Sequence, residues 1–508
     1  MEAIATDMAS FPLLSLLIGL PFFAAALLWL LPTTQAQRVA LLATGAETLL
    51  SVLAVWRFDA GRSGFQWVER AQWLPTVNVH YLLGVDGISI LFLPLTALLF
   101  LGVLLSSRPP VLPRLYYALL LALQGMTIGI FCALDLVLFF LFWELTLLPI
   151  YFLVNLWGMG PQRRFAATQY TLWMLGGGVF LLFGFILVAV SHSQQVTLSA
   201  DMSLSATLTF ELPSLLATAL PSQQQLPALL LLLCGFAFKT PVVPFHVWLP
   251  VMAMEGPVAL LAIMTGVKLG AYGILRFALP LAPQAAMQWS WLLAGIGVVG
   301  IFYGALMALN QSNMRRLLAF SSISHVGMVL LGISTMNVHG IQGALLQLLN
   351  FTLIASALFL LSGFIHRRTA SCEWLHLGGL VRVMPTAAFF FLFFAVASMG
   401  MPLTSGFPAE QLIILGTIAQ HKGAALAAVG GQILGAAYLL LFYRRAFLGS
   451  TSRHLPSGVV DLQGAERWSL FLFAIPVLLV GLLPGWLVHF TQLPTVGWLA
   501  QMSNQLSQ

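Results

Sequence analysis

Lysine is rare in this sequence, and two of its three copies, Lys239 and Lys268, lie in strongly apolar stretches. Lys239 belongs to LLLLCGFAFKTPVVPFHVWLP at 230–250, and Lys268 belongs to MTGVKLGAYGILRF at 264–277. Apart from Lys422, arginine supplies all other positively charged side chains. Arginine stays protonated at any accessible pH, whereas a buried lysine can release its proton because desolvation disfavours the charged form. This placement predicts that Lys239 and Lys268 exchange protons.

A carboxylate occupies equally apolar surroundings. Glu144 lies in DLVLFFLFWELTLLPIYFLVNLWG at 135–158, and aromatic and aliphatic residues flank it on both sides. A charge near the bilayer centre costs about 2.5–3.5 kcal/mol on insertion scales, so it needs a partner and is rarely idle. If Glu144 lies opposite Lys239, it holds the lysine charged, and its withdrawal releases the proton. The alternative is a static buried pair that only joins two helices.

Other ionisable residues extend the candidate set. Glu410 lies in MGMPLTSGFPAEQLIILG at 399–416, and Asp135 begins the segment that contains Glu144. His325, in FSSISHVGMVLLGI, has serine and glycine neighbours that allow water and close packing, so it is either a proton relay or a packing residue. The same alternatives apply to His246, close to Pro244.

The composition indicates the elements that must position these groups. The chain has 508 residues, of which 60% are hydrophobic and 7% are charged, and a soluble protein of this length cannot bury so much apolar surface. A membrane-spanning helix needs about 20 apolar residues. We therefore expect an all-α polytopic membrane protein that forms one integral domain over 1–508, with about fourteen transmembrane helices. The predicted helices are 12–31, 37–56, 85–107, 114–132, 134–157, 167–191, 226–248, 256–278, 290–309, 317–335, 339–365, 386–415, 424–446 and 468–490.

The positive charge follows membrane topology and does not indicate nucleic-acid binding. The net charge is +6, but the arginines stand singly or in pairs at helix ends. If both termini face outside, only Arg57, Arg62, Arg70 and Arg276 fall on the outer side. Because cytoplasmic ends carry the excess of arginine and lysine, this asymmetry predicts an even number of spans with both termini outside.

The sequence gives no sign of a cofactor of its own. Cys132, Cys234 and Cys372 are far apart and form neither a CxxC motif nor a Cys/His cluster, which argues against a metal, an iron–sulfur centre or a disulfide framework. No P-loop or dinucleotide-binding glycine fingerprint is present. We expect no cofactor and no redox group in this chain.

Two proline-containing stretches, 238–250 and 399–416, interrupt apolar segments beside ionisable residues. A pair of interrupted helices at matching places in two halves marks the ion path in many transporters. The first break falls in the seventh predicted span and the second in the twelfth. This spacing predicts two inverted repeats of five helices, the first over 114–278 (spans 4–8) and the second over 290–446 (spans 9–13). Two unrelated proline kinks are the alternative.

Taken together, these motifs resemble one family, the antiporter-like membrane subunits of NADH:quinone oxidoreductase (complex I), and most closely the M type (chain 4, or D-subunit type). The similarity spans nearly the whole chain. It is strongest in GVDGISILFLPLTALL at 84–99, LFFLFWELTLLPIYFLVNLWG at 138–158, FKTPVVPFHVWLP at 238–250, VKLGAYGILRF at 267–277, GIFYGALMALNQSNMRRLLAFSSISHVGMVLLGI at 300–333 and the stretch 399–416.

The resemblance implies a fourteen-helix fold with inverted repeats and a function in proton translocation. It assigns Glu144 and Lys239 to the half-channel through which protons enter, Lys268 and His325 to relay positions, and Glu410 to the end of the exit half-channel. It further implies L-type and N-type antiporter-like neighbours, a location in a bacterial plasma membrane, and quinone reduction in other subunits of the respiratory complex. On this basis the chain is part of an enzyme without performing redox chemistry itself.

Three positions depart from the family pattern. Val251 and Ala253 replace an acid and a histidine after the first break, and Phe351 stands where a histidine is common. These departures keep open a proton- or cation-moving subunit of a related assembly, such as a multisubunit Na⁺/H⁺ antiporter, a membrane-bound hydrogenase or an inorganic-carbon uptake complex. A structural membrane spacer whose channel has lost its function is a further alternative.

Overall fold

Helices make up most of the structure, a computed structural model that describes residues 6–62, 64–200, 207–456 and 458–506. In chain order the α-helices are α1 (Leu13–Leu27), α2 (Ala36–Arg57), α3 (Phe92–Ser106), α4 (Pro113–Cys132), α5 (Leu136–Leu145), α6 (Leu147–Trp157), α7 (Arg163–Ala200), α8 (Leu212–Ala217), α9 (Ser222–Lys239), α10 (Trp248–Glu255), α11 (Val258–Gly266), α12 (Leu269–Gly273), α13 (Leu279–Leu281), α14 (Pro283–Gln288), α15 (Ser290–Leu309), α16 (Met314–Ser334), α17 (Val338–Thr369), α18 (Trp374–Leu377), α19 (Leu380–Val383), α20 (Pro385–Ser398), α21 (Gly406–Gln420), α22 (Lys422–Ala446), α23 (Ala465–Leu482) and α24 (Pro484–Leu506). Three 3₁₀ turns (Thr33–Gln35, Pro75–Val77 and Phe245–Val247) and a π-helical segment (Ile274–Ala278) complete the helical elements.

Ten helical segments in the described part of the chain are long and apolar enough to cross a membrane. Three shorter apolar helices, α1, α3 and α20, accompany them. This pattern confirms the prediction of a polytopic helical membrane protein. The helix α7 continues beyond its predicted end at residue 191, so the expected loop at 192–225 begins as helix, and residues 201–206 of that loop lie outside the described part.

Two strands of a small three-stranded sheet lie largely within the segment 57–84, which separates the second and third predicted helices. Strand β1 (Thr6–Met8) runs parallel to β2 (Phe65–Leu74), and β2 pairs antiparallel with β3 (Val79–Val85). The hairpin turn ends at Asn78, which has a φ of 54°, a left-handed conformation that asparagine tolerates better than most residues. Its side-chain amide donates to the Leu208 carbonyl at 2.8 Å. The all-α description is therefore correct for the membrane part and misses this sheet.

Both proline-containing breaks are present. The helix α9 ends at Lys239, and Pro241 and Pro244 separate it from α10. The second break, at 399–405, separates α20 from α21 and contains Gly400 with a φ of +67°. Proline lacks the amide hydrogen and clashes with the preceding turn, so neither break continues as a regular helix.

A third break, not predicted from the sequence, lies at Lys268. The predicted helix 256–278 is divided between α11, which ends at Gly266, and α12, and Lys268 between them has a φ of −93° and a ψ of 63°. The break packs directly against the end of α9, because a Cβ added to Gly270 would collide with the Thr240 side chain and the Phe236 carbonyl. Lys239 and Lys268 therefore lie at two helix ends that touch.

The helices α16 and α17 are enclosed by the rest of the protein, and the apolar stretch that could cross a membrane is completely buried in each of them. The helix α15 packs on α16 through glycines, since Cβ atoms added to Gly297, Gly304 or Gly327 would meet the backbone of the neighbouring helix. Small residues allow such close approach of membrane helices. This packing fixes α16, which carries Ser322 and His325.

We expect Gly270→Ala to destabilise the protein by about 1–3 kcal/mol, because the added methyl group overpacks the contact between the two helix ends. Gly295→Ala is the matched control, since no atom lies within 4 Å of a Cβ added there. The thermal unfolding midpoint in detergent should fall for Gly270→Ala and stay level or rise for the control. Equal midpoints for both variants would show that the contact at Gly270 has no energetic role.

Candidate functional site

Lys239 is the last residue of α9, and its ammonium contacts the junction between α5 and α6. Its Nζ atom donates to the backbone carbonyl of Trp143 at 2.9 Å and to the Thr146 hydroxyl at 2.9 Å. The same nitrogen lies 4.0 Å from the centre of the Trp143 ring, a cation–π distance. The charge of Lys239 is thus held by neutral groups.

In sequence, Glu144 lies between Trp143 and Thr146. In the described part of the chain, it forms no ion pair with Lys239. Neither of its carboxylate oxygens has a hydrogen-bond partner there, although both are shielded from solvent. The carboxylate packs on α7, where it fills the space beside Gly178. The expected direct Glu144–Lys239 pair is therefore not formed in this conformation, because the lysine points to Trp143 and Thr146 instead.

A small cavity beside Lys239 extends to the residues that flank Lys268 in the chain, but the Lys268 side chain does not line it. Its volume is about 40 Å³, and Thr146 and Lys239 line it together with Val267 and Leu269, the residues on either side of Lys268. A space of this size can hold a water molecule when polar groups face it. The hydroxyl of Thr146 and the ammonium of Lys239 are such groups.

Lys268 is buried at the third break and contacts α16. Its Nζ atom donates to the carbonyl of Thr265, at the end of α11, and to the Ser322 hydroxyl at 2.7 Å. Carbonyls in the last turn of a helix lack amide partners, so a cation is well placed there. The Phe351 ring lies 5.5 Å away.

His325 lies one helical turn after Ser322 and joins side chains from three other helices. Its Nδ1 atom is 3.3 Å from the Gln347 side-chain nitrogen, and its Nε2 atom is 3.2 Å from the Ser398 hydroxyl. Its Nδ1 atom also lies 3.9 Å from a carboxylate oxygen of Glu410. His325 therefore makes polar contacts and also packs against Phe351, whose tilted ring has its centre 4.4 Å from the imidazole centre.

Glu410 is enclosed at the second break, and only 2% of its side chain is exposed. Gln432 on α22 donates to its Oε2 at 2.6 Å, and Gln347 on α17 donates to its Oε1 at 3.4 Å. Asn350 in turn donates to Gln347 at 3.3 Å and accepts a hydrogen bond from Ser405. The carboxylate thus lies within a buried polar cluster and does not face lipid.

The two auxiliary candidates take other positions. Asp135 is the N-cap of α5 and accepts from the backbone amides of Val137, Leu138 and His80 at 2.9–3.1 Å. His246 lies on the 3₁₀ turn after the first break, where its Nε2 is 3.0 Å from the Tyr303 hydroxyl on α15. Asp135 therefore has the contacts of a helix cap. The polar contact of His246 is with Tyr303, which belongs to none of the contacts described above.

Sequence reasoning missed the side chains that connect these groups. They are Thr146, Ser322, Gln347, Ser398 and Gln432. A signal was available in α17, where Gln342, Gln347 and Asn350 interrupt a long apolar run. Amides inside a membrane helix are costly unless they are hydrogen-bonded, so they mark contacts with other polar residues.

A second omission is the ion pair of Arg276 with Asp86. The Arg276 guanidinium, in the π-helical segment just after Lys268, lies 2.5 Å from the Asp86 carboxylate, and both side chains are largely buried. Asp86 also accepts from the amides of Ile88 and Ser89, close to the start of α3. Through this ion pair, Arg276 ties the Lys268 segment to the residues that precede α3.

Comparison with known proteins gives a consistent family assignment. Residues 133–435 match the family described as NADH:quinone oxidoreductase/Mrp antiporter, TM. NAD(P)H-quinone oxidoreductase chain 4 1 from Synechococcus sp. (strain JA-3-3Ab) is 36% identical over 510 residues, which cover 98% of this chain and 94% of that protein. NADH-quinone oxidoreductase subunit M from Rhodobacter capsulatus is 36% identical over 503 residues, covering 96% of each chain.

Solved structures share the fold. A chain of the respiratory complex I from Thermus thermophilus with bound NADH superposes with a TM-score of 0.86 at 31% identity, covering 97% of this chain and 99% of that one. A chain of the Mrp complex from Dietzia sp. DQ12-45-1b has a TM-score of 0.79 at 23% identity, covering 96% and 98%. The second similarity concerns the fold alone.

We expect Arg276→Gln to destabilise the protein by about 3–5 kcal/mol, because it leaves the Asp86 carboxylate buried without its counter-charge. The double variant Asp86→Asn/Arg276→Gln should recover most of this loss. Arg62→Gln, which breaks an exposed pair with Asp59, is the control and should cost about 0–1 kcal/mol. Thermal unfolding of the parent protein, Asp86→Asn, Arg276→Gln and the double variant measures this coupling, and purely additive effects of the two single changes would contradict it.

Proposed function

Because the chain belongs to the family of antiporter-like membrane subunits of NADH:quinone oxidoreductase and Mrp complexes, we propose that it translocates protons as part of a complex I-type enzyme. In this proposal, redox chemistry in other subunits drives the transfer, and this chain holds no redox centre. The observation that carries the proposal is a line of buried ionisable residues joined by polar side chains, namely Lys268, His325 and Glu410. Glu144 and Lys239 lie half-buried close to neighbouring helix ends and complete the proposed set.

The exit half is supported by a nearly continuous polar line. Lys268 contacts Ser322, and one turn further along α16 His325 contacts Gln347, which donates to Glu410. Gln432 then extends the line to α22. A proton needs hydrogen-bonding partners at short intervals, because isolated charges are strongly disfavoured in a dry interior. We assign Glu410 as the terminal acid on this side.

The proposed entry half-channel is supported by the lack of hydrogen-bond partners at Glu144 among the described residues. The Glu144 carboxylate has no hydrogen-bond partner among the described residues, while Lys239 donates to neighbours of that carboxylate at positions 143 and 146. A rotation of the lysine side chain toward Glu144 would form the pair that the sequence predicts. We infer that Lys239 alternates between these two positions and passes its proton toward Lys268 through the small cavity.

The membrane architecture of the proposal follows the repeats. We assign fourteen spans, with 114–278 and 290–446 as inverted repeats in which the breaks at Lys239 and at 399–405 correspond. The positive-inside rule favours both termini outside, in a bacterial plasma membrane. L-type and N-type antiporter-like subunits are the proposed neighbours in the membrane arm.

A cation-moving subunit of an Mrp-type antiporter is the second candidate, because the family that matches residues 133–435 includes Mrp antiporters. The full-length identity of 36% to chain 4 and subunit M proteins favours the first candidate. Dependence of transport on NADH oxidation separates the two, because an Mrp-type subunit would exchange ions without electron transfer.

We expect Glu144→Gln to reduce proton pumping by about tenfold or more while the complex still assembles, because Lys239 loses the carboxylate that attracts its charge. Glu144→Asp should retain part of the activity, since the charge remains on a shorter side chain. Proton uptake by inverted membrane vesicles, normalised to assembled complex, measures the effect. Normal pumping by an assembled Glu144→Gln complex would refute the assignment of Glu144.

We expect Lys268→Arg to pump as poorly as Lys268→Met, although arginine keeps the positive charge. Arginine cannot release its proton under physiological conditions, so a relay at this position stops. Lys422→Arg, at the start of α22, is the matched control and should pump normally. If Lys268→Arg pumps like the parent protein, then Lys268 acts only as a fixed charge and the relay assignment is wrong.

A further inference from the structure

A large apolar cavity lies between α2, α3, α17, α23 and α24, away from the two lysines. Its volume is about 750 Å³, within the range of ~300–1,000 Å³ that is usual for small-molecule sites. Leu346, Leu349 and Leu353 form its inner wall at the spacing of one helix face on α17. Empty space of this size would forfeit packing contacts, and apolar walls disfavour water.

The polar residues at the deep end of the cavity are already hydrogen-bonded to other residues of the chain. Asn350 and Ser405 are its polar lining residues, and Ser405 already donates to Asn350, which donates to Gln347. Their hydrogen bonds are directed into the polar cluster around Glu410. The part of an occupant that reaches this end must therefore be hydrocarbon.

The mouth of the cavity has the opposite character. Trp56 and Trp486 line it and are 80% and 59% exposed, and tryptophan is enriched at the level of lipid headgroups. Arg57 follows Trp56 and is exposed, and within the described residues it has no ion-pair partner. The nearby Asp59 carboxylate is taken by Arg62 at 3.0 Å. A free cation beside two interfacial tryptophans fits an anionic headgroup.

We propose that this cavity binds one acyl chain of an anionic phospholipid, with the phosphate at Arg57 and the chain end against Asn350 and Ser405. Hydrogen bonds within the chain close the polar inner end, and the exposed Arg57 directly follows the lining residue Trp56, so an amphiphile with a long apolar tail fits both ends. The bound chain also covers Asn350 and Ser405, the two members of the Glu410 cluster that line the cavity.

Photolabelling of the assembled complex in nanodiscs tests this binding. The probe is phosphatidylglycerol with a diazirine at the end of one acyl chain, compared with phosphatidylcholine carrying the same chain. We expect labelled peptides from α17 around Leu349. Leu353→Trp and, independently, Leu483→Trp should reduce this labelling at least fivefold because they fill the cavity, whereas Leu172→Trp, on an exposed surface of α7, should not.

The headgroup is tested by Arg57→Gln, which should lower phosphatidylglycerol labelling to the phosphatidylcholine level. Labelling of α17 that is unchanged in both tryptophan variants would overturn the proposal, as would an unchanged preference for phosphatidylglycerol in Arg57→Gln. Transfer of the label only to another protein subunit would show that a protein covers the cavity and would also overturn it. Native gels confirm assembly of each variant, and these readouts do not depend on proton pumping.

Discussion

A charge inside a bilayer must be held by protein groups, and in this chain those groups are provided where helices are interrupted. Lys239 ends α9, Lys268 lies between α11 and α12, and Glu410 packs against the break at 399–405. Helix ends leave backbone carbonyls without helical partners, and such carbonyls near the α5–α6 junction and at the end of α11 accept from Lys239 and Lys268. Glu410 is held instead by the side-chain amides of Gln347 and Gln432.

The sequence was sufficient to find the main ionisable residues and the two breaks that contain proline. Charges in apolar runs and prolines within helices are local signals, so they can be read without a structure. The break at Lys268 has no such signal, because Val267 and Leu269 are ordinary helix residues. It depends on tertiary contacts, namely the Ser322 hydroxyl and the close packing of Gly270 on Thr240.

The directions in which the side chains point could not be predicted from the sequence either. The pattern predicts that Glu144 and Lys239 are neighbours, but only the rotamers decide that Lys239 donates to Trp143 and Thr146. The position of Phe351 is informative in the same way. Its ring lies beside both His325 and Lys268, so the polar connection at this point runs through Gln347. Val251 and Ala253 lie on α10, and nothing in the structure explains these two substitutions.

Lys239 and Lys268 have the same kinds of partner, one backbone carbonyl and one hydroxyl each. These partners suit a lysine that gains and loses a proton. A carbonyl can only accept, whereas the hydroxyls of Thr146 and Ser322 can either accept or donate. When the ammonium becomes a neutral amine, it can still donate to the carbonyl, and its new lone pair can accept from the rotated hydroxyl. The same two partners can therefore bind each lysine nitrogen with or without its extra proton, and switching between these states reorients one hydroxyl and moves no helix.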